Sequence, residues 1–173
     1  MGTRNLTKVI DKDGITRVAQ YGQWDGYPSY SGTRMLDFIS EPTMLNKIEL
    51  SLAKCRFIDQ AEIDQMWFRF QEVTQWEEAR KEYQGFHIVY PSLSRDTGVD
   101  ILKVIVYSNE DVMLSDESSF EKDGLFCEGV YTLNYQTREF ISWFNGDTVT
   151  FSLDQLPSEE TYLNAWKALT PTA

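Results

Sequence analysis

Histidine and cysteine are scarce in this chain, which has one histidine, His87, and two cysteines, Cys55 and Cys127, among 173 residues. No Cys-x-x-Cys pair occurs, so a Cys/His zinc site lacks its ligands. Lone cysteines of this kind are expected as small buried hydrophobes. No apolar run approaches the ~18–20 residues of a membrane span. The opening Met1-Gly2-Thr3-Arg4-Asn5 has no apolar stretch behind it, so no signal peptide and a cytoplasmic location are expected. Basic residues are also few, 16 against 27 acidic ones, for a net charge of −11. Such a surface repels phosphate backbones and acidic lipids, which disfavours direct nucleic-acid or membrane binding. It favours solubility, and it permits docking onto a basic partner.

Aromatic side chains are abundant instead, at 14% of residues. The length suits a single domain spanning 1–173, and a chain of this size buries about 70% of its unfolded surface. Residues 6–10 and 15–21 read as a hairpin around Asp11-Lys12-Asp13-Gly14. Residues 22–32 read as a loop, with Thr33 capping a short helix and Pro42 opening another over 42–54. The apolar spacing of Ile63, Met66, Trp67, Phe70 and Val73 predicts a helix over 59–83, continued by Trp76 and ended by Gly85. A helix over about 97–107, or in part a strand since the segment is β-branched, and a short strand at 112–114 follow, the latter inside the acidic stretch 108–123. A hairpin of 125–134 with 138–144 and a strand at 148–153 precede a last helix, 158–169, capped by Ser158. This order predicts an α+β fold: an antiparallel sheet of about five strands with helices packed on one face.

Four blocks carry a resemblance. They are Gly2-Thr3-Arg4-Asn5-Leu6-Thr7; Ala19-Gln20-Tyr21-Gly22-Gln23-Trp24-Asp25-Gly26-Tyr27-Pro28; Pro91-Ser92-Leu93-Ser94-Arg95-Asp96-Thr97-Gly98; and Gly124-Leu125-Phe126-Cys127-Glu128 leading to Tyr131. Together they resemble an uncharacterised family found in bacteria, phages and fungi, whose members open with MGTR-x-L followed by a Q-[WYF]-D-G-Y-P segment. The chain departs from that pattern twice. Tyr30 and Ser31 stand before Gly32, where the family has an earlier glycine, and Leu133-Asn134-Tyr135 stands where the family often has Asp-Leu-Asp. If those acids serve a reaction, this chain lacks them, so the resemblance implies a phage-type accessory protein, with a counter-defence role, rather than an enzyme.

The loop 20–33 is the candidate ligand site. Trp24 or Tyr27 can stack a ring, Gln23 and Asp25 can read a polar edge or a ribose hydroxyl, and glycines let backbone amides approach a phosphate. Thr33 at a helix start adds an anion-favouring end, and Arg4 and Arg95 are candidate phosphate ligands. The plain structural alternatives stand beside these. Trp24 and Tyr27 can seal the loop onto the core, Asp25 can bond the Gly26 and Tyr27 amides, and Arg95 can pair with Asp96. Cys127 and Glu128, read as strand neighbours, point to opposite faces and cannot act as a pair. A Cys127–His87 dyad has no local support.

Three functions are thus expected in order. The first is binding, without turnover, of a small nucleotide-like ligand, with no catalytic residue, metal or cofactor. The second is inhibition of a basic host nucleic-acid or defence enzyme through the acidic surface, to which the segment 110–123 with Glu159 and Glu160 would contribute. The third is a hydrolase using Thr3 as an N-terminal nucleophile.

Overall fold

In the computed structural model, which describes residues 2–73 and 83–169, two antiparallel ladders flank one parallel pairing. Strands β1 (Asn5–Ile10) and β2 (Thr16–Gly22) form the first hairpin. Asp11 closes its turn by accepting the Asp13 and Ile15 amides on one carboxylate oxygen, and Gly14 takes a φ of +82°. A π-helical turn, Pro28–Gly32, then runs into α1 (Thr33–Ser40), and α2 (Met44–Ser51) follows. After a short β3 (Cys55–Ile58) come α3 (Gln60–Val73), α4 (Tyr83–Val89) and α5 (Ile101–Tyr107). Four more strands follow, β4 (Val112–Ser115), β5 (Gly129–Asn134), β6 (Glu139–Phe144) and β7 (Asp147–Ser152), and the described chain closes on α6 (Glu159–Leu169).

The main sheet has the order β2-β1-β5-β6-β7, and β3 pairs with β4 in a separate parallel ribbon. The α+β class and the five strands agree with the sequence reading. The sheet is mixed, though, because β1 runs parallel to β5, Asn5 beside Gly129 and Ile10 beside Asn134. Period-two alternation divides the sheet into two faces. Val9, Val18, Tyr131, Leu133, Phe140 and Val149 face the main core with Met35, Leu36, Ile39, Ile48, Ile101, Leu102, Ile105 and Tyr162 from the helices. Leu6, Ala19 and Val130 face the other way, where Cys127 and the partly buried Phe120 and Trp143 cover part of the sheet.

Local chemistry explains the turns. Asn145 and Gly146 both have positive φ, 47° and 98°, the two-residue turn that matches strand twist between β6 and β7. Ser158 Oγ accepts the Thr161 amide, as a helix cap should. Several expectations are corrected. Thr33 is the first residue of α1 and its hydroxyl donates backward to the Ser29 and Tyr30 carbonyls, so it does not cap. Pro42 precedes α2, whose entry is set by Thr43 at a φ of +66°. Residues 55–58 form a strand that the helical reading of 42–54 left out. Gly85 lies inside α4 rather than ending a helix. Of the expected 59–83 helix, the part at 74–82, with Trp76, lies outside the described residues, and Ile63, Met66, Trp67 and Phe70 are only half-buried. Among the described residues no helix is long and apolar enough to cross a membrane.

A buried polar contact holds α6 on the sheet: Ser142 Oγ and Tyr162 Oη lie 2.7 Å apart. Burial pushes the Tyr162 hydroxyl up to about 12, against the lowering effect of the Ser142 hydrogen bond. Gly32 makes room for it, since a Cβ there would lie 1.9 Å from Tyr162 Oη. Gly32→Ala should therefore displace Tyr162 and destabilise the fold by about 1–3 kcal/mol, read as a lower urea midpoint. An unchanged midpoint would show that α6 can shift without cost.

Candidate functional site

The first residues of the chain are threaded beneath the loop that follows β2. Thr3 is buried, and its carbonyl accepts the Gly26 amide at 2.9 Å. Asn5, also buried, donates its Nδ2 to the Gly22 carbonyl at 3.3 Å and the Trp24 carbonyl at 3.1 Å. Those two acceptors fix the amide's orientation and leave Oδ1 against the glycines: a Cβ on Gly22 would come within 2.7 Å of it, and one on Gly98 within 3.6 Å. Gly26 is required for a related reason, because its Cβ would meet Asn5 Cβ at 2.8 Å. From the sheet, Tyr131 Oη donates to the Gly26 carbonyl at 2.6 Å. Burial keeps that hydroxyl protonated far above the ordinary tyrosine range. The loop is thus pinned from below by a strand amide and from the side by a buried phenol.

Above this floor lies a cleft of about 240 Å³ where loop 22–34 meets segment 96–100. Gly22 and Gly98 line its base, and Trp24 and Tyr30 line its sides with 56% and 46% of their surfaces exposed. Trp24 Nε1 donates to Asp96 Oδ1 at 2.9 Å, and a Cβ on Gly2 would lie 2.5 Å from its ring. The indole therefore covers the amino-terminal segment and borders the cleft at once. Arg34 lies over the Tyr30 ring, 5.4 Å from its centroid, and donates to Asp100 at 2.5 Å. The Asp100 hydrogen bond raises the Arg34 guanidinium above its ordinary value. Asp25, held at a φ of +53°, lines the cleft too.

A second hollow, about 310 Å³, lies on the far side of residues 95–96 and is lined by Gln20, Tyr21, Ser92, Ser94 and Arg95. Two residues of this hollow, Tyr21 and Arg95, are joined by a side-chain bridge. Gln23 Oε1 accepts from Arg95 Nη2 at 2.5 Å and from Tyr21 Oη at 2.7 Å, with Arg95 over the Tyr21 ring. Arg95 and Asp96, neighbours in sequence, thereby serve different hollows and are not a local ion pair.

The structure places the candidate residues in three groups. Trp24 and Asp25 share the cleft, while Gln23 and Arg95 bond to each other and Arg95 lines the second hollow. Tyr27, Arg4 and Thr33 are elsewhere. The Tyr27 ring packs on Phe144 at 5.9 Å, the Arg4 guanidinium lies 4.8 Å over Phe126, and the Thr33 hydroxyl is occupied within its own turn. Asp25 does not bond the Gly26 amide, which is taken by Thr3. Asn5, Tyr30, Arg34, Asp96, Gly98 and Asp100 were not read as site residues. Of these, Gly98, at a φ of +47° after Asp96-Thr97, gave the clearest sequence signal.

The other chemical candidates lie apart from the cleft. Cys127 and Glu128 precede β5 rather than lying in it. The Cys127 thiol sits in the small core beside Leu6 and Val130, and Glu128 Oε2 accepts the Arg4 amide at 3.0 Å. Burial, then Glu121, Asp123 and Glu128, push the Cys127 thiol up to about 11, and burial does the same to Cys55. Among the described residues no group of three or more His, Cys, Asp or Glu is arranged to hold a metal.

Two predictions follow from this geometry. Asn5→Ala strands two carbonyls, each worth about 1–3 kcal/mol when buried and unsatisfied, and should lower the thermal midpoint while changing Trp24 fluorescence. A parent-like midpoint and spectrum would remove Asn5 as the anchor. Because the thiolate is the reactive form, both cysteines should resist a disulfide-exchange reagent at pH 8 in the folded chain and react fully once urea unfolds it. Fast labelling of the folded chain at that pH would contradict their burial.

Compared with family models, curated proteins and solved structures, the chain matches none.

Proposed function

We propose that this chain binds a small nucleotide-like ligand without turning it over, using the cleft between loop 22–34 and segment 96–100. The observation that carries the reading is the pair of exposed rings, Trp24 and Tyr30, on one glycine-floored cleft. Exposed aromatic faces lose water on stacking, and a glycine floor lets a flat ring approach the backbone. Polar groups that fix orientation surround the rings, as small-molecule sites require. Asp25 and Asp96 accept hydrogen bonds from ring amines or ribose hydroxyls, and Arg34 presents its planar face over Tyr30.

Charge decides where a phosphate goes. The cleft holds Asp25, Asp96 and Asp100 around Arg34, whose guanidinium Asp100 already engages, so a dianion there meets net repulsion. The neighbouring hollow sets Arg95 against a single acid, Glu117, with Ser92 and Ser94 beside them, so its charge is less unfavourable to a phosphate. A nucleotide would therefore place its ring and ribose by Trp24 and turn its phosphate toward Arg95. Sequestration of a host signal nucleotide is the biological role suggested by the family resemblance.

A thermal-shift screen against nucleosides, nucleotides, cyclic dinucleotides and ADP-ribose derivatives tests this. A ligand at 100 times its dissociation constant stabilises by about 2.7 kcal/mol, and each kcal/mol moves the midpoint of a chain this size by roughly 2–4 °C. A shift lost in Trp24→Ala and weakened in Asp25→Ala is the expected result. A flat screen, or a shift that both variants retain in full, rejects the reading.

A further inference from the structure

A third concave surface lies between α4 and α5; it shares no residue with the cleft at loop 22–34 and only Ser92 with the Arg95 hollow. It is a groove of about 440 Å³, larger than either hollow beside loop 22–34. Three large apolar side chains line it while open to water: Ile88 is 77% exposed, Val89 57% and Tyr107 63%. Val104, half-buried, adds to the wall. Scattered exposed hydrophobes need no explanation, but several converging on one groove with a polar rim mark an interaction surface. The rim here is acidic. Glu110 and Asp111 both line the groove and both are exposed. Lys54 donates to the carbonyl of Ser108, a groove residue, at 2.5 Å.

These features select among occupants. A second copy of this chain would bring another acidic surface, since the net charge is −11, and like charges at a rim oppose association. An anionic lipid surface is repelled for the same reason. We infer that the α4–α5 groove docks a basic amphipathic helix of a partner protein, its apolar stripe on Ile88, Val89 and Tyr107 and its Lys or Arg residues against Glu110 and Asp111. An apolar stripe laid into a groove with charges at the rim is a recurrent mode of helix recognition. Here the apolar contacts set the lifetime of the complex, and the acidic rim sets its rate of formation and its salt dependence.

The test uses a fluorescein-labelled synthetic peptide of about 18 residues, leucines on one helical face and lysines on the other, titrated onto the full chain. A basic peptide can adhere to any acidic protein, so position rather than charge must decide. Val89→Asp should weaken binding by about tenfold or more. The double variant Glu110→Gln/Asp111→Asn should weaken it by about threefold and flatten its salt dependence. The control Glu159→Gln/Glu160→Gln removes the same charge from α6, outside the groove, and should leave the affinity within experimental error of the parent. All five positions are exposed, so the variants should melt with the parent. The inference falls if the peptide does not bind, if Val89→Asp binds as the parent does, or if the α6 control weakens binding as much as the rim variant. It also falls if the parent sediments as a dimer that Val89→Asp splits, because the occupant is then a second copy.

Discussion

One carboxamide organises the amino-terminal third of this molecule. The two N–H groups of Asn5 hold the Gly22 and Trp24 carbonyls, so the chain leaves β2 along a path set by a neighbouring strand rather than by its own turn preference. The glycines around Asn5 follow from that constraint. Gly22 and Gly26 are where they are because any side chain would strike the amide, and Gly98 closes over it from the opposite segment. Tyr131 ties the same loop to the middle of the sheet through the Gly26 carbonyl. The loop under the cleft is therefore tied down at three carbonyl contacts, two to Asn5 and one to Tyr131.

What could be read from the residues was what is local. Asp11 to Gly14, Asn145-Gly146 and Ser158 each carry their turn or cap in side-chain chemistry within a few positions, and each is found in the structure. The four-residue strand Cys55–Ile58 has too few positions for alternation to show, and its partner, Val112–Ser115, is distant in the chain. The parallel pairing of β1 with β5 has no local signal, so an antiparallel sheet was the natural expectation. Thr33 and Gly85 carry cap-like and stop-like residue types, yet packing absorbed both into helices.

The candidate cleft was legible only in part. Trp24 and Asp25 stood out because loop 20–33 sets aromatic and polar side chains among glycines. Arg34 read as one more helical surface residue and Asn5 as one more strand residue, and their roles exist only once segments 2–5, 22–34 and 96–100 meet. The arginines behaved alike in kind: Arg4, Arg34 and Arg95 all lie over aromatic rings, a partnership that depends on tertiary placement.

The parallel β1–β5 ladder also sets the order in which the protein is completed during synthesis. Arg4 and Glu128, joined by a hydrogen bond at the start of that ladder, are 124 positions apart. At a ribosome's pace, β5 emerges on the order of ten seconds after β1. Through that interval the first hairpin presents an unpaired edge, Asn5–Ile10, of the kind that recruits foreign strands. Lys8, halfway along it, is a charged residue of the type that discourages such pairing, and in the finished chain it is claimed by Glu121, a few residues ahead of the strand that fills the edge. The charge that Glu121 neutralises in the folded chain would thus stand on an open strand edge in a chain that has not yet made β5.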